Sequence, residues 1–131
     1  NEFPAALAVL ILNSSMFFWY FTLFSDCRNL TRTVISNFPF DLGLLNDAYM
    51  DKIKELAERL MEDYLVNSRL KETVYARTGK MVYREYYVRK SKWIIDEVDD
   101  LLAQIFGLNV DEVEFLKNYE IGFRTGGESD V

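Results

Sequence analysis

The chain has 131 residues, half of them hydrophobic and 15% aromatic, which is the composition of a folded domain with an apolar core. It contains no histidine and a single cysteine, Cys27. This excludes a disulfide within the chain, a cysteine-based zinc site and any nucleophile that depends on a histidine base. The formal net charge of −6, taken alone, argues against binding to nucleic acid.

Positive charge is concentrated in residues 69–92. This segment has eight basic and two acidic residues, or +6, so the rest of the chain carries −12. A basic segment within an acidic chain is a candidate anion-binding surface. The alternative is a solvated hairpin with ordinary surface cations. The basic residues are Arg69, Lys71, Arg77, Lys80, Arg84, Arg89, Lys90 and Lys92.

The N-terminal stretch is uncharged from residue 3 to residue 24. A stretch of this length fits either a membrane-spanning helix or a buried helix of a soluble domain, and both interpretations stay open here. The chain starts without methionine and without a basic leader, so we expect a fragment of a longer protein that has no secretory signal.

An amphipathic helix is predicted over residues 46–66, after a short segment, 34–40, that favours a strand ending at Pro39. Asn46 resembles a helix N-cap. Apolar residues then recur at helical spacing with charged residues between them. The apolar positions are Tyr49, Met50, Ile53, Leu56, Ala57, Leu60, Met61, Tyr64 and Leu65.

A β-hairpin is predicted within residues 67–92. Its flanks, 73–76 and 81–83, are rich in β-branched and aromatic residues and surround a Thr-Gly turn. Arg77 and Lys80 would project together from the tip. Aromatic residues interleaved with cations suit contacts with nucleic acid, although they can equally pack one face of a sheet. These aromatic residues are Tyr83, Tyr86 and Tyr87.

A helical hairpin is predicted over residues 93–122. Ser91 can cap its first helix, and Gly107 can end that helix in a left-handed conformation. Asn109 and Glu112 match a capping box for the second helix. Acidic residues on both helices argue against a helix-turn-helix that reads DNA.

Other polar features carry weaker signals. Cys27 is expected to be a small buried residue. Residues 123–131 are expected to form a flexible tail. A solvated helix face, rather than a metal or acid–base site, is expected for the carboxylates Asp96, Asp99 and Asp100.

No complete catalytic site is recognisable in the sequence. The six glycines are scattered, so there is no phosphate-binding loop. Methylation of the adenine amine uses an Asn/Asp-Pro-Pro-aromatic loop, and the two prolines here, Pro4 and Pro39, are far apart. No acidic residue has the lysine two positions later that a restriction nuclease uses to complete its metal site. We therefore expect no cofactor, metal or catalytic residue in this fragment.

Several stretches, in the same order, resemble the C-terminal region of type IIG and TaqI-like adenine-specific DNA methyltransferases of restriction–modification systems. They are LNSSMFFWY at 12–20, SDCRNL at 25–30, FPF at 38–40, SKWIIDEVD at 91–99, LLA at 101–103 and NYEIGFR at 118–124. The last stretch is fairly specific. Trp93 is a departure, because the family has proline at this position.

The length and the predicted elements indicate one mostly helical α+β domain of 131 residues. The resemblance implies that residues 1–45 end a target-recognition region and that 46–66 form a spacer-like helix. It implies a cytoplasmic bacterial or archaeal parent that binds duplex DNA, flips an adenine and methylates it from S-adenosylmethionine bound upstream. The eight basic residues would contact phosphates, and the N-terminal helix would be buried rather than membrane-spanning. The alternatives are a structural brace that touches no DNA and a membrane-anchored interaction domain.

Overall fold

A computed structural model of the chain describes residues 3–124 and has the mostly helical α+β architecture that the sequence predicts. Of the tail expected to be flexible over residues 123–131, residues 123 and 124 are helical instead, and residues from 125 on lie outside the described part of the chain. The α-helices are α1 (Ala5–Asn13), α2 (Ser15–Phe24), α3 (Arg32–Ser36), α4 (Asp47–Val66), α5 (Lys92–Phe106), α6 (Val110–Asn118) and α7 (Ile121–Arg124). The strands are β1 (Ser68–Tyr75) and β2 (Gly79–Tyr86), and 3-10 turns occupy Leu42–Leu44 and Val88–Ser91.

The uncharged N-terminal stretch forms two helices instead of one, because it breaks at Ser14. The Ser14 hydroxyl donates to the Ile11 carbonyl at 2.7 Å and accepts from the Phe17 amide at 3.1 Å, so it ends α1 and caps α2. Within residues 3–124, no single helix is long and apolar enough to cross a membrane. The two helices reach that length and composition only as a pair, which is bent by 68°.

The strand expected over residues 34–40 is not formed. Instead, α3 begins after Thr31, whose hydroxyl accepts a hydrogen bond from the Val34 amide at 3.2 Å. A strand needs a neighbouring strand for its backbone groups, whereas a helical turn satisfies them locally. The aromatic residues that follow α3 pack on α5, with the ring centroids of Phe38 and Phe106 6.3 Å apart.

The amphipathic helix predicted from Asn46 onward is confirmed as α4. The Asn46 side chain accepts a hydrogen bond from the Tyr49 amide at 2.8 Å, as an N-cap does. The apolar stripe of α4 packs against α1 and α5. Its buried members are Ile53, Leu56, Ala57 and Leu60.

One apolar core joins α1, α2, α4 and α5. Its fully buried apolar side chains come from widely separated parts of the sequence and are Leu7, Leu10, Ile53, Leu60, Ile94, Val98 and Leu102. Only Asn67 separates α4 from β1, and β2 returns to α5 through a 3-10 turn. The core helices therefore position the base of the hairpin.

The helical hairpin predicted over residues 93–122 is confirmed in its main parts, since α6 follows α5 and packs on it. Gly107 ends α5 with φ 75°, and Asn109 and Glu112 form the predicted capping box with hydrogen bonds of 2.8 and 2.9 Å. The prediction that Ser91 caps α5 is wrong. Its buried hydroxyl makes no capping bond and has no hydrogen-bond partner among the described residues.

Cys27 is exposed, contrary to the expectation that it is buried. It lies in the turn after α2 with φ 59°. Short polar contacts determine this turn: the Ser25 hydroxyl accepts from the Cys27 amide at 3.1 Å, and Asp26 accepts from the Arg28 amide at 3.0 Å. Local hydrogen bonds rather than packing hold the turn, so the residue stays exposed, while its thiol donates to the Thr22 carbonyl at 3.5 Å.

Candidate nucleic-acid interface

The predicted hairpin is confirmed, and it extends from the helical core with both faces in solvent. Its antiparallel register runs from the Ser68–Tyr86 pair at the base to the Tyr75–Gly79 pair at the tip. Most of its residues are exposed, and none in either strand is fully buried. A two-stranded hairpin covers little of its own surface, so its side chains are accessible to a partner.

Contacts at its base hold the hairpin against the helices. The ring of Tyr86 meets that of Tyr64 on α4 edge to face, with centroids 6.5 Å apart. The Tyr64 hydroxyl donates to Asn13 Oδ1 at 2.9 Å, and burial raises the pKa of Tyr64 to about 12, which keeps the proton on this hydroxyl. The Tyr87 amide donates to the Asn67 carbonyl at 3.0 Å.

The register divides the hairpin side chains between two faces, because directly opposed residues lie on the same side of a sheet. The side that we call the Val74 face carries Ser68, Leu70, Glu72, Val74, Lys80, Val82, Arg84 and Tyr86. The opposite side, the Tyr83 face, carries Arg69, Lys71, Thr73, Tyr75, Met81, Tyr83 and Glu85. The predicted phosphate-contacting residues that lie in strands are thus divided equally between the two strands and between the two faces.

Two of the strand cations pair diagonally with carboxylates of the same face. Lys71 Nζ lies 2.6 Å from Glu85 Oε2, and Lys80 Nζ lies 3.1 Å from Glu72 Oε1. All four side chains are exposed to solvent by more than a third. Exposed pairs of this kind contribute about 0–1 kcal/mol, so a phosphate can replace either carboxylate at little cost.

Two further cations belong to the hairpin: Arg77 in the turn at the tip and Arg84 near the base of β2. Arg77 is exposed in the turn between β1 and β2. It was predicted to project together with Lys80, but the Lys80 ammonium is directed back along the strands to Glu72. Arg84 donates from Nη1 to the Ser68 hydroxyl at 2.7 Å.

Several cations lie close to Tyr87 at the base of the hairpin. The Arg69 guanidinium lies 5.9 Å and the Lys90 ammonium 5.6 Å from its ring centroid. Lys71 also bonds to it, and the pKa of Lys71 is raised first by its hydrogen bond to Glu85 and then by Tyr87. The alternation of tyrosines and cations in the sequence indicated that aromatic rings and cations lie close together. It did not indicate that three cations lie around the single residue Tyr87.

The remaining predicted cations lie near the helical core. Arg89 and Lys90 belong to the 3-10 turn that leads into α5. Lys92 forms an ion pair with Asp96 in the first turns of α5, and its side chain is only 19% exposed. Lys92 is therefore less accessible than Lys71 and Lys80, and it contributes mainly to the helical body.

Asp99 is buried, although it was predicted to lie on a solvated face. It is 4% exposed, and its Oδ1 accepts a hydrogen bond from the Ser15 amide at 2.8 Å. Burial raises the pKa of Asp99, while the bonds from Ser15 and nearby cations oppose the shift. A signal was present in the sequence, because Asp99 follows Ile95 by four positions and precedes Leu102 by three, within the apolar stripe.

Arg124 connects the C-terminal helices to the start of α2. Its Nη1 donates to the carbonyls of Tyr119 at 3.1 Å and Leu116 at 3.3 Å, at the end of α6. Its Nη2 donates to the Ser15 hydroxyl, and its guanidinium lies 5.2 Å from the Phe18 ring centroid. Ser15 therefore binds both Asp99 of α5, through its amide, and Arg124 of α7, through its hydroxyl. These bonds connect α2 to α5 and to the last described helix.

Within residues 3–124, no group of His, Cys, Asp or Glu side chains is suited to holding a metal ion. A cavity of about 480 Å³ beside α1 and α3 is lined mainly by apolar side chains. A second, of about 320 Å³, lies between α2, α4 and α5 and includes Lys92 and Arg124. The exposed hairpin, with cations on both strands, presents its functional groups to a partner too large for these cavities.

No protein-family model, characterised protein or solved structure matches this chain.

Proposed function

We propose that this chain is the C-terminal target-recognition and scaffold portion of an adenine-specific DNA methyltransferase of a restriction–modification system. In this proposal the hairpin helps to hold duplex DNA by contacting phosphates. One structural observation supports DNA binding: a hairpin that is exposed on both faces and bears cations on both strands. The order of motifs between residues 12 and 124 supports the choice of family.

The electrostatics of the hairpin favour contact with phosphates. Its cations are held by exposed carboxylates and by an aromatic ring, which are weak partners in water. A DNA phosphate that replaces such a partner releases condensed counterions, and this release is the main source of affinity for nucleic acid that does not depend on sequence. The acidic remainder of the chain would orient the hairpin toward the DNA by repelling the phosphates elsewhere.

The chemistry of the parent enzyme would lie in an upstream methyltransferase domain that binds S-adenosylmethionine, and the cell cytoplasm would be its location. The packed core of α1, α2, α4 and α5 would serve as the scaffold between that domain and the hairpin. Phosphate contacts position an enzyme on DNA without reading its sequence.

The test is fluorescence anisotropy of a labelled DNA duplex titrated with the full chain over a series of salt concentrations. We expect affinity to fall steeply with salt, by a slope of about 0.9 for each phosphate bound. Arg77→Glu with Lys80→Glu should weaken binding and reduce this slope by about 1 for each phosphate that is no longer bound. The matched control is Lys52→Glu with Lys54→Glu, which changes two exposed cations of α4 and the net charge by the same amount.

The rival proposal is a helical brace that does not touch DNA, favoured by the pairing of Lys71, Lys80 and Lys92 with carboxylates. Absence of binding at low salt, or equal weakening in the hairpin and α4 variants, would support the brace. The membrane-anchored alternative rests on the bent pair of α1 and α2. Partitioning of the chain into detergent rather than buffer would favour it.

A further inference from the structure

Two tyrosines of the Tyr83 face have rings that are open to solvent. Tyr75 and Tyr83 are 49% and 42% exposed. Within residues 3–124, neither side chain takes part in a hydrogen bond, an aromatic pair or a cation–π contact. Tyr75 also lies opposite Gly79, which has no side chain that could cover the ring. An uncovered aromatic ring is a surface on which another flat ring can stack.

The cations of the Tyr83 face lie along one edge of the hairpin. Arg69 and Lys71 both belong to β1. The side chains that β2 contributes to this face are Met81, Tyr83 and Glu85. Lys71 lies directly opposite Tyr83, so their Cβ atoms are about 5 Å apart. Glu85 pairs with Lys71 at 2.6 Å, and such an exposed ion pair costs little to open.

One strand of nucleic acid has the same division, with phosphates along one side and flat bases along the other. Cations on one edge of the face match one phosphate strand, whereas a duplex presents two. In a duplex each base is covered by its stacked neighbours, so a tyrosine ring can stack only on an unpaired base. Cations beside an uncovered ring therefore favour a single strand.

The helical body lies on the other side of the hairpin from these groups. Tyr86 of the Val74 face packs against Tyr64 of α4, with ring centroids 6.5 Å apart. Arg69, Lys71 and Tyr83 project from the opposite face. A strand of nucleic acid can therefore reach them without passing α4.

We propose that the Tyr83 face of the hairpin binds one unpaired strand of DNA, with phosphates at Arg69 and Lys71 and a base stacked on the ring of Tyr83. Tyr75, nearer the tip, offers a second ring. This inference rests on the proposed function, because it requires that the hairpin binds DNA. It adds which face is used, which strand of the hairpin meets phosphates and which meets bases, and the unpaired state of the DNA at this site.

The test is fluorescence anisotropy of a labelled single-stranded oligothymidylate titrated with the full chain at low salt. Its bases stay unpaired, because thymine does not pair with thymine. Tyr83→Ala should weaken binding by about fivefold or more, because the stacking of one base is lost. Tyr83→Phe keeps the ring and should keep the affinity. The matched control is Val82→Ala, which shortens the exposed neighbour of Tyr83 on the opposite face and should leave the affinity unchanged.

A second probe separates stacking from phosphate contact. An oligomer of the same length that is abasic throughout has the phosphates of oligothymidylate without the bases. We expect the wild-type chain to bind it about fivefold or more weakly, and Tyr83→Ala to have no further effect on this binding. The comparison of probes with the wild-type chain does not depend on the folding of any variant. Circular dichroism checks the fold of each variant.

Each outcome decides one proposal or both. Equal affinity for the two single-stranded probes, an unchanged affinity in Tyr83→Ala, or a loss in Tyr83→Phe or Val82→Ala as large as in Tyr83→Ala overturns the stacking and leaves the phosphate contacts standing. Binding of a duplex without binding of oligothymidylate overturns this inference and supports the proposed function. Binding of oligothymidylate without binding of a duplex does the reverse. No binding of either DNA at low salt overturns both.

Discussion

Replacing Asp99 by alanine should destabilise the fold by about 2–3 kcal/mol. The substitution leaves the buried Ser15 amide without its acceptor, which costs about 1–3 kcal/mol. It also removes a negative charge from the N-terminus of α2, which contributes about 0.3–1 kcal/mol. Part of this destabilisation is offset because burial of the carboxylate is itself unfavourable, as its raised pKa indicates.

Asp99→Asn is the matched control, since it keeps an oxygen that can accept from Ser15 and removes only the charge. We expect it to change the free energy of unfolding by less than about 1 kcal/mol. Urea unfolding at neutral pH, followed by circular dichroism of the helices, measures both variants. A destabilisation below about 0.5 kcal/mol for Asp99→Ala, or equal values for alanine and asparagine, would refute the reasoning about the acceptor.

The pH dependence follows from the direction of the Asp99 pKa shift. Because the pKa is higher in the folded than in the unfolded chain, the folded chain binds more protons between the two values. The wild type should therefore become less stable relative to Asp99→Asn as pH rises from the ordinary aspartate pKa of 3.8 through the raised pKa, and the difference should then level off. A relative stability of the wild type that increases with pH in this window would contradict the assigned shift.

Two further predictions concern the turns. Gly107→Ala should cost about 1 kcal/mol in urea unfolding, because φ is 75° there, whereas an added Cβ would meet no atom within 4 Å; a cost near zero would contradict this backbone account. Cys27 should react with Ellman's reagent in the folded chain without denaturant, because the residue is exposed. Reaction only after addition of denaturant would show that the thiol is covered.

Features that depend on a few neighbouring residues were predicted well. The α4 stripe, the Asn46 cap, the Gly107 terminus and the Asn109–Glu112 capping box each arise from side chains within a few helical turns. The hairpin followed from its turn and its β-branched flanks. The location of the basic segment also followed from the sequence, because net charge is counted directly from the residue types.

Features that depend on distant residues were not predictable in this way. The segment at 34–40 had strand-like composition, but without a partner strand its first residues joined α3 after the Thr31 cap. The position of Asp99 within the apolar stripe of α5 can be read from the sequence, but its hydrogen-bond partner cannot, because Ser15 lies 84 positions away.

The sequence by itself determined the helical periods, the caps, the hairpin and the excess of positive charge in residues 69–92, since all of these are local properties of the chain. The tertiary structure alone decided which side chains meet across the chain: Asp99 and Arg124 at Ser15, and three cations around Tyr87. It also left both faces of the hairpin open. The physical reason is that desolvation and long-range hydrogen bonding are fixed only when the helices pack.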